Sequence, residues 1–62
     1  MTLVTYPNIS QPDAFYAELI DAQRSLDFDA AMALNARLVL ILANHIGDRE
    51  ILSAALALAC KG

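Results

Sequence analysis

The sequence predicts an all-α fold, a three-helix domain with a short N-terminal arm, which we expect to assemble as a homodimeric helical bundle. Apolar residues recur at intervals of three and four along most of the chain, the spacing of one helix face. Asp, Ser, Pro and Gly residues stand where helices would begin and end. Residues 1–62 are therefore predicted to form one small helical domain, with the extended arm at 1–9 and the three helices within 10–62.

The arm is the one part of the chain with a weak strand pattern. Leu3, Val4 and Tyr6 favour a short extended stretch, and Pro7 excludes a helix because it lacks an amide hydrogen. Since a chain terminus frays unless something holds it, we expect the arm to be either loose or packed on a partner.

The first helix is predicted to run from about Pro12 to Leu26. Ser10 is expected to cap it, Pro12 suits its first turn, and Asp13 completes an acidic variant of the capping box. Its apolar stripe consists of Phe15, Leu19, Ala22 and Leu26.

The second helix is predicted to begin at Asp27 or Asp29 and to end at Ile46. It is apolar nearly all round, so we expect it to be the central element, buried on several sides. Its longest apolar run, residues 38–43, is far shorter than the ~20 residues that span a bilayer. The predicted inward face carries Leu34, Leu38, Ile41, Leu42 and His45.

Gly47 is predicted to end the second helix in the left-handed conformation that glycine adopts without a steric penalty. Asp48 should then cap the third helix, with Glu50 in its first turn. We expect this helix to run to about Cys60, with an apolar stripe of Ile51, Leu52, Ala55, Leu58 and Ala59.

Size and composition predict self-association. A domain of 62 residues buries only ~60% of the surface that its unfolded chain exposes. Cys60 is the only cysteine and His45 the only histidine, so the chain offers neither an internal disulfide nor four Cys or His ligands for a structural zinc ion. Hydrophobic residues make up 58% of the chain, against a usual ~45–50%. A homodimer is the expected way to cover them.

The charge balance argues against several partners. The net charge is −3 with only four Lys and Arg, which disfavours a nucleic-acid surface and an anionic membrane surface. The first ten residues lack the basic and apolar runs of a signal peptide, so we expect a cytoplasmic protein with a reduced thiol.

Four polar residues of the second helix are candidate interface or ligand contacts: Asn35, Arg37, Asn44 and His45. His45 is expected to pack inward with one ring nitrogen bonded to a neighbouring helix, and the alternatives are a general base, a metal ligand or a pair of His45 residues across a dimer. Asn35 is expected to be buried and to bond to the first helix or to its symmetry mate, fixing the register, or else to contact a ligand.

Arg37 is expected to form a surface ion pair with Asp21 or Asp29, and the alternative is a clamp on a carboxylate of a partner or ligand. Asn44 points to the polar sector of the second helix. No residue is predicted as catalytic, and the sequence predicts neither a cofactor nor a bound metal ion.

Two strings, "LNARL" at 34–38 and "LANHIGD" at 42–48, together with "PDAFYAELIDAQRSL" at 12–26, resemble domain-of-unknown-function family 2783, a family of short bacterial helical proteins. The resemblance covers about Asn8 to Ala59. Such proteins are often encoded beside flavin-dependent monooxygenases, which implies an accessory role. The resemblance implies no catalytic residue.

The predicted function is that of a small helical interaction or accessory protein, not an enzyme. It would associate with itself through apolar helix faces. A further protein partner is possible, and the family resemblance implies that this partner is a flavin-dependent oxidoreductase. The alternative is a small-molecule or metal-binding subunit that uses His45, Asn44, Asn35 and Arg37.

Overall fold

The computed structural model describes residues 2–62, which form three helices and no strand. The helices are α1 (Pro12–Gln23), α2 (Phe28–Ile46) and α3 (Arg49–Lys61). The all-α, three-helix prediction is therefore confirmed. Residues 2–11 carry no regular secondary structure, and Met1, the first residue of the predicted arm, lies outside the described part of the chain.

The start of α1 differs from the prediction. Ser10 does not cap the helix: the N-cap is Gln11, which lies in the left-handed region at φ 51° and makes no side-chain capping bond. Pro12 does not account for this geometry, because a proline favours extended backbone at negative φ in the residue before it. The Gln11 carbonyl still accepts the first helical hydrogen bond, from the Phe15 amide at 3.2 Å.

α1 also ends earlier than predicted, at Gln23 instead of Leu26. The Leu26 amide donates to the Gln23 carbonyl at 3.1 Å, which tightens the chain into a turn after the helix. Asp27 adopts an extended conformation and caps α2, so the chain does not remain helical from α1 into α2. Its side chain accepts a hydrogen bond from the Ala30 amide at 2.8 Å, so α2 begins at the first of the two predicted aspartates.

The joint between α2 and α3 has the predicted structure. Gly47 lies at φ 75° and donates its amide to the Ala43 carbonyl at 2.9 Å. Asp48 then caps α3 by accepting from the Ile51 amide at 3.1 Å. A two-residue joint brings α2 and α3 back against each other as a hairpin, and this pair makes the most extensive contact between helices.

The core of the single chain is small. Ile51, 9% exposed, is the one residue that is buried among residues 2–62. On α2, the partly covered residues are Ala30, Ala31, Leu34 and Leu38 on one side of the helix, and Ala43 beside the joint with α3. The prediction that α2 is buried on several sides is wrong for the single chain, because the other two helices leave most of its apolar surface in contact with solvent.

The molecule is more open than a compact protein of its size. Its radius of gyration is 13.2 Å, whereas a compact 62-residue domain has about 11 Å. Its accessible surface is 5642 Å², whereas a folded monomer of this mass exposes about 3,900 Å². The excess is roughly 1,700 Å² per chain. In the described part of the chain, no helix is long and apolar enough to cross a bilayer.

Candidate functional site

An apolar groove runs between α2 and α3, with a volume of about 510 Å³. Eight aliphatic residues line it: Val39, Leu42, Ala43, Ile46, Leu52, Ala55, Leu56 and Ala59. A site for a small molecule usually adds a few placed polar groups that orient the ligand. The aliphatic lining of this groove suits an apolar partner surface instead.

The wall contributed by α2 belongs to a longer row of exposed residues, which we call the α2 seam. The seam consists of Phe28, Met32, Asn35, Val39, Leu42 and Ile46. Their spacing alternates between four and three residues, the heptad pattern that places every member on one side of a helix. All six are exposed, and Phe28 is 75% exposed.

The predicted inward face of α2 is not this seam, although the heptad spacing of the seam is present in the sequence. The predicted inward face, with Leu34, Leu38 and Ile41, lies about a quarter of a turn away around the helix. Because α2 is apolar nearly all round, a helical wheel offers several equally apolar sides. The structure resolves the ambiguity by covering one side, that of Leu34 and Leu38, and leaving the seam open.

Large and small side chains share the groove. Leu56 stands on the α3 wall and is 68% exposed, while Ala43, Ala55 and Ala59 leave space between the helices. Projecting side chains beside small ones are what knobs-into-holes packing between helices requires. The nearest charged residues of α2, Asp29 and Arg37, lie about 100° and 180° around the helix from the seam at 100° per residue.

Asn35 makes one of the predicted contacts. Its Oδ1 accepts a hydrogen bond from Gln23 Nε2 at 3.2 Å, which joins α2 to the end of α1 and confirms the predicted bond to the first helix. The prediction that Asn35 is buried is wrong for the single chain, because Asn35 lies on the open seam. One side of its amide therefore faces α1, and the side chain remains accessible to a partner.

Arg37 does not make the predicted ion pair. Asp21 is bound instead by Arg24, whose Nε lies 3.1 Å from Asp21 Oδ1, and no ion pair between residues 2–62 involves Asp29. Spacing explains the difference: residues three apart on one helix are neighbours, whereas Asp29 and Arg37 are eight residues apart on α2. Both side chains of the observed pair are mostly exposed, so it stabilises the fold by less than about 1 kcal/mol.

His45 lies exposed in the last turn of α2. In the structure of residues 2–62, its ring takes part in no hydrogen bond, so the expected inward packing is wrong within one chain. His45 is on the same side of α2 as Leu34 and Leu38 but beyond the part that is covered. A contact across a dimer stays a prediction.

The four candidate residues do not form one site. Asn35 and Arg37 point about 160° apart on α2, and Asn35 and His45 are separated by about 15 Å along the helix axis. Asn44 shares the side of Arg37, but it lies about 10 Å further along the axis. Within the described chain, no group of three or more His, Cys, Asp or Glu side chains could hold a metal ion.

The fold and the surface define a small all-helical protein that leaves a large share of its apolar surface exposed to solvent. Comparison with protein families identifies it further: the chain belongs to the family described as "Protein of unknown function (DUF2783)", whose model matches residues 3–61. This confirms the family resemblance seen in the sequence. No curated protein and no solved structure matches the chain.

Proposed function

We propose that this protein is a small helical interaction protein, not an enzyme, and that its working form is a homodimer held together by apolar helix faces. The observation that carries the proposal is the roughly 1,700 Å² by which the accessible surface exceeds that of a compact monomer. Large exposed apolar areas on soluble proteins mark interaction surfaces.

The excess area has the size that a stable dimer needs. Specific interfaces of standard size bury about 800 Å² per partner, and obligate homodimers bury about 2,000–5,000 Å² in total. Two copies of this chain bring an excess of roughly 3,400 Å², residues 2–11 included, which is more than an interface of standard size buries. Dimerisation therefore supplies the core that the single chain lacks.

The proposal includes an accessory role toward another protein. Exposed apolar side chains outside the groove, Leu40 and Leu58 among them, support it, because such side chains offer nothing to move a proton or orient a polar substrate, while they suit the apolar face of a helix. The family resemblance points to a flavin-dependent oxidoreductase as that other protein. Adding the purified protein to a flavin-dependent oxidoreductase from the same host should change the turnover or the sedimentation of that enzyme. If neither changes, the oxidoreductase is not the partner.

The homodimer is tested by the mass of the particle in solution. Light scattering or sedimentation equilibrium at micromolar concentration should give twice the chain mass of 6.7 kDa. A folded particle of one chain mass throughout the micromolar range would contradict the proposed function.

A further inference from the structure

We propose that the α2 seam and the groove beside it are the self-association surface, and that the seam of a second copy of this chain packs against them. Two α2–α3 hairpins would then meet around a two-fold axis as a four-helix bundle. The inference rests on the proposed homodimer and adds to it which of the many exposed apolar residues form the interface.

The shape of the surface fits a helix. Along α2 the groove extends from Val39 to Ile46, and along α3 from Leu52 to Ala59, about 10 Å or two helical turns on each wall. The seam continues from there toward Phe28, so that its exposed length is close to the whole of α2. Val39, Leu42 and Ile46 alternate at the two heptad positions, and large aliphatic residues at these positions pack as knobs into the holes of a facing helix.

The charge of the surface fits a second copy of the same chain. A two-fold interface brings the same patch of both subunits together, so a patch with a net charge would face a patch of the same charge. The chain carries a net charge of −3, yet the groove is lined by aliphatic residues alone and the seam adds only the neutral amide of Asn35. This surface can therefore meet itself without repulsion between like charges.

Other apolar surfaces of the chain fit less well. Leu40 on α2 and Leu58 on α3 are also exposed, but they lie about 120° and 110° around their helices from the seam and the groove. They offer no groove between helices, and Leu40 has Arg37 and Asn44 beside it on the same helix. The same two residues provide matched controls for a test of the interface.

The test compares Val39→Glu with Leu40→Glu, two neighbouring positions that are 63% and 70% exposed. Leu56→Glu and Leu58→Glu form the equivalent pair on α3. We expect Val39→Glu and Leu56→Glu to give particles of one chain mass at concentrations where wild type, Leu40→Glu and Leu58→Glu remain dimers. A charge buried without a partner is strongly unfavourable, which is why the interface variants should dissociate.

A milder pair of variants keeps the test decisive even where the dissociated chain, with so small a core, unfolds. Val39→Ala should raise the dissociation constant of the dimer about tenfold or more, because both copies lose buried methyl groups, while Leu40→Ala should change it less than about threefold. If wild type is dimeric and the two positions respond alike, the assignment of the surface is wrong and the proposed homodimer stands. If wild type is monomeric, the proposed function itself falls.

Discussion

Among single residues, Gly47 is the one whose conformation most restricts what can replace it. Its φ of 75° is unfavourable for residues with a side chain, although a Cβ at this position would lie 3.8 Å from the Asn44 carbonyl oxygen, an ordinary contact. Gly47→Val should therefore lower the free energy of unfolding by about 1–2 kcal/mol through backbone strain alone. Thermal unfolding should show a melting temperature lower by about 4–8 °C per kcal/mol.

Gly47→Asn is the matched control, because asparagine tolerates the left-handed region better than a β-branched residue does. It should lose clearly less stability than Gly47→Val. Equal melting temperatures for glycine and valine at this position would show that the joint does not need the left-handed conformation.

The sequence predicts that His45 packs inward, but its side chain is exposed in the structure. Since its side chain is exposed and takes part in no hydrogen bond within residues 2–62, we expect His45→Ala to change the free energy of unfolding by less than about 0.5 kcal/mol. Urea unfolding measures this directly. A loss of about 1–3 kcal/mol would instead place the ring inside the assembled dimer.

Calorimetric titration with zinc tests the remaining alternative, in which His45 is a metal ligand. Heat of binding that is present in wild type and absent in His45→Ala, with unchanged unfolding, would make His45 a ligand instead of an interface residue. We expect no such difference, because the other candidate residues of α2 point away from His45.

At the scale of helices, the two aspartate caps define where α2 and α3 begin. Asp27 and Asp48 each accept a hydrogen bond from a backbone amide of the first turn. Asp27→Ala and Asp48→Ala should each cost about 0.5–2 kcal/mol of stability in urea unfolding. Ser10→Ala should be neutral, since Ser10 does not cap α1. A loss at Ser10 equal to that at Asp48 would contradict the described start of α1.

The helices could largely be predicted from the sequence because their ends are specified locally. Gly47, Asp48 and Asp27 act on backbone groups within four residues, so their identity was enough to place the joint and the start of α2. The expected Ser10 cap is wrong because Pro12 occupies the first helical position, which makes Gln11, and not Ser10, the N-cap.

The orientation of α2 could not be predicted in the same way. Which of its apolar sides is covered depends on where the other helices pack, and local spacing does not contain that information. The predicted bond from Asn35 to the first helix was confirmed, but its burial was not, because the covered side is that of Leu34 and Leu38. The predicted ion pair between Arg37 and Asp21 does not form, because Asp21 pairs with Arg24, which lies nearer to it in the chain.

At the scale of the whole molecule, Asn35 links the fold to the proposed assembly. It is the only polar member of the α2 seam, and a single polar residue in such a seam can specify register and oligomeric state at some cost in stability. Asn35→Leu should keep the helical content but give a mixture of particle sizes by light scattering. A uniform dimer identical to wild type would show that Asn35 has no part in specifying the assembly.

The last prediction concerns how stability depends on protein concentration. If the exposed apolar surface is covered only in the dimer, folding and association are one process, and mass action favours the folded form at higher concentration. Each tenfold increase adds about 1.4 kcal/mol per dimer, which should raise the melting temperature by about 5 °C for a dimer of this size. Calorimetry or circular dichroism over roughly a hundredfold range of concentration measures the effect. The control variant Leu40→Glu should show the same dependence on concentration. A wild-type melting temperature that stays constant would mean that the single chain is stable alone, despite its small core around Ile51.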